Sequence, residues 1–186
     1  MLVDINERVL SEGKNVDAAL KLAEWARSAD YDSVVKAYAE CHRDPNIDDS
    51  FIRTLAQCDR YYLGVFICNR HDMLHPWIYE RCREVENDKD KHLDLSYSAR
   101  QAKPFLRQVM QEFESNEKLQ NLFPDILWKN PKHQAPKWAE NEGICVNRFA
   151  NPKEQTVEAH GLVDGQPTGR HFSLIIYDDV VVQDAI

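Results

Sequence analysis

Apolar positions along the first third of the chain recur at helical spacing. Between Asp17 and Ala29, the residues Ala18, Leu22, Trp25, Ala26 and Ala29 fall three and four apart, which predicts one amphipathic helix. Asp30-Tyr31-Asp32-Ser33 supplies a turn and a cap for a second helix through Val34 to Cys41, broken at Arg43-Asp44-Pro45-Asn46. A third is expected over Ile47 to Arg60, started near Asp48-Asp49-Ser50. Pro76 opens a fourth at its first turn, running from Trp77 to Val85. The run Leu63-Gly64-Val65-Phe66-Ile67-Cys68 suits a buried strand or an apolar helical segment equally.

Beyond the polar connector from Glu86 to Lys91 the pattern changes. His92 to Ser96 alternates as a strand does, and Gln101 or Lys103 starts a helix with Phe105, Val109, Met110 and Phe113 on one face. Pro124, Pro131 and Pro136 mark a loop-rich connection holding Trp128 and Trp138. Gly143 to Phe149 and Thr156 to Ala159 are expected as short strands joined by a hairpin turn over Ala150 to Glu154. Leu174 to Tyr177 is a continuous apolar run, the pattern of a strand buried on both faces of a mainly parallel sheet. The expected layout is a helical N-terminal region over 1–90 and a second domain over 91–186. The sheet of that domain would hold the Leu93, Ile144, Val157 and Leu174 strands.

The apolar run ends in two carboxylates, Asp178 and Asp179. Ligands of open α/β sheets sit outside the carboxyl ends of the strands, which makes this pair the leading candidate for chemistry. Four apolar residues closing in Asp-Asp form the Walker B pattern, in which the first acid holds Mg²⁺ and the second orients the attacking water. A core strand with a solvated polar end produces the same pattern.

The flanks narrow the choice. Gly161 to Phe172 leads into the strand, and the whole block resembles the Walker B region of the large terminase subunit of tailed phages. The resemblance extends through Trp138-Ala139-Glu140, Ile144-Cys145-Val146 and Thr156 to Gly161, and takes in Pro76-Trp77-Ile78-Tyr79 and Leu93 to Arg100. It implies an α/β fold, an incomplete P-loop NTPase-like sheet behind a helical N-terminal region. It also implies the ATPase that drives viral DNA into the procapsid, with Mg²⁺ and ATP as cofactors. Partners implied are double-stranded viral DNA, the portal and the small terminase subunit. Carried onto this chain, the roles are Asp178 for Mg²⁺, Asp179 for catalysis, and Arg100, in the opening Tyr97-Ser98-Ala99-Arg100, for nucleotide contact.

Two departures bear on activity. A phosphate loop needs glycine-rich backbone amides, a lysine and a hydroxyl. Of the six glycines only Gly13 precedes a lysine, and Gly13-Lys14-Asn15 lacks the leading glycine and the hydroxyl. The residues after Arg100 look like a later helix of the family, as if the loop, its helix and one strand were absent. The chain also ends at Ile186, before the family's nuclease domain. A truncated or internally deleted form with impaired hydrolysis is one expectation. The alternative is a non-enzymatic remnant or interaction module contacting the small subunit or portal.

Other constellations have plainer explanations. Cys68, His71, His75 and Cys82 suggest zinc, but the paired short spacings of structural zinc sites are missing and Pro76 interrupts the run. Cys145 lies mid-strand, where a small buried hydrophobe is the ordinary role. Tyr61, Tyr62 and the four tryptophans could stack on bases, yet scattered aromatics are usually core. Lys129, Lys132, His133, Lys137, Arg148 and Lys153 form a mildly basic stretch within a chain of net charge −8. Five cysteines at irregular spacing argue for free thiols in a reducing compartment. With no membrane-length apolar run and no signal-peptide pattern, a cytoplasmic protein is expected.

Overall fold

The computed structural model describes residues 15–87, 93–96, 99–149, 154–161 and 175–178. The chain divides into two compact units, Met1–Asp88 and Lys89–Ile186.

The regular elements in the described part of unit 1 are all helices. Helix α1 covers 15–26, α2 Tyr31–Arg43, α3 Asp49–Cys58, α4 Arg60–Tyr62 and α5 Pro76–Asn87. Local chemistry starts most of them. The Asp30 side chain accepts from Ser33 N, and that of Asp48 accepts from Phe51 N, each satisfying a first-turn amide. Asp59 caps α4 in the same way, accepting from Tyr62 N. The ambiguous run Leu63–Ile67 is a π-helical continuation of α4. Its apolar residues follow an already nucleated turn, so extension of the helix needs no new nucleus.

α1 buries a face different from the expected one. Ala19, Ala23 and Ala26 are inside, whereas Trp25 is 42% exposed. Small residues give a helix a close approach that an indole on the same face would prevent. The rest of the core is tyrosine-rich, with Tyr38, Tyr61 and Tyr62 fully enclosed and Tyr79 nearly so. Tyr31, Tyr61 and Tyr79 meet in edge or tilted contacts with centroids 5.3–6.3 Å apart. Tyr38, Tyr62 and Phe66 form a second group at 5.2–6.2 Å. Such pairs add about 0.5–1.5 kcal/mol each beyond their buried area.

Unit 2 is built around α6, Ala99–Ser115, followed by α7, Glu117–Leu122, and α8, Pro131–Gln134. α6 begins earlier than expected and carries Pro104 inside it, where the ring cannot donate to the carbonyl one turn back. Ala102 and Leu106 are buried, and Phe105, expected inside, is half-exposed. The strands are short: β1 Leu93–Ser96, β2 Trp138–Ala139, β3 Gly143–Ile144, β4 His160–Gly161 and β5 Ile175–Asp178. β4, β1 and β5 lie side by side and parallel in that order, and β2 pairs antiparallel with β3.

This corrects the expected fold class. The described residues are mostly helical, and they do not form the incomplete P-loop NTPase-like sheet of an α/β protein. Strands of two to four residues are too short to serve as its central layer. Cys145 N continues the β2–β3 ladder by donating to Lys137 O, but side chains take the next backbone groups of the Ile144 strand: Trp128 Nε1 donates to Cys145 O, and Val146 N donates to Thr156 Oγ1. Only an isolated antiparallel bridge joins Ile144 to Val157, so neither belongs to the sheet of β1 and β5. Within that sheet, β1 is central and β5, the proposed core strand, is an edge among the described residues. Of the expected turn over Ala150 to Glu154, residues 150–153 lie outside the described residues.

Candidate functional site

Of the three site residues singled out from the sequence, the described backbone places Asp178 and Arg100. Asp178 is the last residue of β5 and pairs in register with Ser96, the last residue of β1. Arg100 is the second residue of α6, which starts three residues beyond Ser96. The backbone thus brings the carboxyl ends of two strands together, with a helix following one of them. Asp179 lies outside the described residues. Among the described residues no group of three or more His, Cys, Asp or Glu could hold a metal ion.

The alternative constellations resolve in the same way. Cys68 closes the π-helical segment, His71 sits in a 3₁₀ turn, and His75 accepts from Trp77 N at 3.1 Å, so the four zinc candidates form no ligand set. All five cysteines are free thiols, and Cys145 is buried. Tyr61 and Tyr62 are core. Two lysines of the basic stretch are ion-paired: Lys132 with Glu114 at 2.7 Å, and Lys137 with Glu142. Glu114 also accepts from Trp138 Nε1 at 2.7 Å. Burial opposes its ionisation, but Lys132 and Trp138 together hold its carboxyl below the usual range.

The densest polar site in the described structure lies in unit 1 and was not foreseen. Asp59 is fully buried at the start of α4, and three groups converge on it. Its Oδ1 accepts from Tyr62 N at 2.7 Å, and its Oδ2 takes the Tyr38 hydroxyl and lies 2.6 Å from an Arg83 nitrogen. The other terminal nitrogen of Arg83 lies 2.9 Å from Glu86, whose second oxygen accepts from Arg60 N. These Arg83 contacts are close in distance but poorly aligned as hydrogen bonds, and Nε has no partner. The guanidinium is also 5.0 Å from the centroid of the Tyr79 ring.

Two acids therefore share one cation in a largely buried site. Burial works against the Arg83 charge, but Asp59 and Glu86 outweigh it and hold the guanidinium above its usual range. Burial pushes the Glu86 carboxyl up, only partly offset by Arg60 N–H and Arg83. Burial, then the adjacent Asp59, raise the Tyr38 phenol so far that it remains a donor at any physiological pH. The arrangement fastens α2, the start of α4 and α5 together.

Unit 2 holds a second buried acid, Glu158. It accepts from Gln155 N at 2.9 Å and contacts His160 Nε2 at 2.8 Å. It borders an apolar cavity of about 70 Å³ beside Ala102, Leu106 and Val109. A larger cleft, of about 370 Å³, opens between α7 and the loop around Trp128. No sequence pattern announced either acid site, since the partners are scattered along the chain and each is unremarkable in its own segment.

Compared with protein-family models, curated proteins and solved structures, the chain finds no match. Among the described residues no helix is long and apolar enough to cross a membrane.

Proposed function

We propose that this chain is a non-catalytic interaction module of a viral DNA-packaging apparatus, docking through unit 1 onto the small terminase subunit or the portal. The packaging context rests on the resemblance of the Gly161–Asp179 block to large terminase subunits. The docking role rests on one feature of α5. Trp77 is 56% exposed, the Arg81 guanidinium lies 5.6 Å from its ring centroid, and Val85 is exposed two turns along the same face. Glu84 fixes Arg81 with a 2.5 Å ion pair. An exposed tryptophan held by an arginine has the composition of an interface hot spot. The test is binding of the purified full chain to small subunit and portal from the same source. Trp77→Ala is expected to weaken binding at least tenfold, as hot-spot truncation does. Failure of both partners to bind the unaltered chain would refute the docking role.

The non-catalytic part of the reading has its own test. Asp178 ends a strand, and the sequence has no glycine-rich loop with the amide nest and lysine that counter the charge of ATP phosphates. Phosphate release with Mg²⁺ and ATP, with or without double-stranded DNA, is expected to be equal for the unaltered chain and Asp178→Asn. Turnover abolished by that change would mean a working ATPase.

A further inference from the structure

The cleft of about 370 Å³ in unit 2 lies within the volume range of small-molecule sites. Its lining is unusual in having four side-chain amides, from Gln120, Asn121, Gln134 and Asn147, and no carboxylate. Two of these amides are already half-committed to the fold. Gln120 Nε2 donates to Phe113 O at 2.7 Å, and Gln134 Oε1 accepts from Asn130 N at 2.7 Å. Each therefore presents its other end, an acceptor from Gln120 and a donor pair from Gln134. The side chains of Asn121 and Asn147 make no hydrogen bond among the described residues. Lys129 likewise has no ion pair, in contrast to Lys132 and Lys137 of the same basic stretch. Trp128 lines the cleft with its N–H already used on Cys145 O, so what it offers a ligand is its apolar ring.

We propose that this cleft binds a nucleoside monophosphate. Amides with both donor and acceptor ends match the edge of a base, which carries both in one plane. An aromatic ring with its polar group already satisfied is a stacking surface for that base. Lys129, the cation in the lining and without an ion pair among the described residues, answers the phosphate as a point charge. A neutral sugar would leave Lys129 without a role. A metal ion is disfavoured by the absence of lining carboxylates. The proposal is independent of the docking role assigned to α5.

The test is a titration of the ¹⁵N-labelled full chain with AMP, adenosine and inorganic phosphate, followed at the Trp128 indole N–H and the Asn121 and Asn147 amides. AMP is expected to shift these signals saturably, with adenosine binding about fivefold more weakly, the worth of one partly exposed charge contact. Lys129→Ala should remove the AMP–adenosine difference, and Asn121→Ala should weaken both ligands. Lys129 and Asn121 are exposed, and the unshifted remainder of the spectrum reports that the variants are folded. The proposal is overturned if AMP gives no saturable shift at these signals, or if phosphate alone reproduces it. It is equally overturned if Lys129→Ala binds AMP as the unaltered chain does.

Discussion

Asp59 is the residue on which unit 1 depends most. It caps α4, accepts the Tyr38 hydroxyl and faces Arg83, all without exposure to water. Removing it leaves a guanidinium buried beside Glu86 alone, and breaking a buried pair costs about 3–5 kcal/mol. Asp59→Ala is therefore expected to lower stability in urea by at least that much, since the cap is lost as well. Tyr38→Phe deletes one donor and leaves the other two contacts, so its expected cost is about 1–2 kcal/mol. Equal midpoints for these two variants would contradict the assignment of Asp59 as the hub.

At the scale of elements, the β2–β3 turn is held by a conformation that only glycine adopts easily. Gly143 has φ 86°, and a Cβ there would lie 2.7 Å from Val157 O and 2.8 Å from Glu158 Cγ. Gly143→Ala should destabilise unit 2 by about 2 kcal/mol or more, through backbone strain and displacement of the segment that carries Glu158. Gly64 offers the contrast. A Cβ at Gly64 would meet only the Met73 thioether end, at 2.6 and 2.8 Å, which can swing aside. Gly64→Ala is expected to stay within about 0.5 kcal/mol of the unaltered chain, the helix-propensity gain offsetting the displacement. Urea midpoints at unchanged slope would measure both.

At the scale of the whole molecule, the carboxylates respond to pH in opposite senses. The Glu86 carboxyl is raised from 4.5, so the folded state holds that proton more tightly than the unfolded chain. Its contribution to stability therefore grows as pH falls from above its folded value toward 4.5, and is lost as pH rises. Asp48, with a usual value of 3.8, and Glu114, at 4.5, are lowered. Their contributions are present above those values and are lost on further acidification. The expected profile is a rise in thermal midpoint on mild acidification toward pH 4.5, followed by a fall. Glu86→Gln should abolish the rise and keep the fall. A profile unchanged by Glu86→Gln would show that the buried carboxyl does not titrate in this range.

Local signals in the sequence determined what local interactions decide. The caps at Asp30 and Asp48 start α2 and α3, and Pro76 starts α5, because side chain and amide are neighbours in the chain. The apolar alternation before Ser96 and the apolar run before Asp178 also belong to strands. Which of these elements dominates was decided by tertiary structure. Beyond the β2–β3 ladder the Cys145 carbonyl accepts from the Trp128 indole and the Val146 amide donates to Thr156, and so a strand pattern ends as a two-residue ladder. The choice of face on α1 turned on which side chains its neighbours admit, and three alanines prevailed over a tryptophan. The Tyr38–Asp59–Arg83–Glu86 cluster joins positions in separate helices. A buried charge is tolerable only when its partners arrive together, and that meeting is a property of the packed chain.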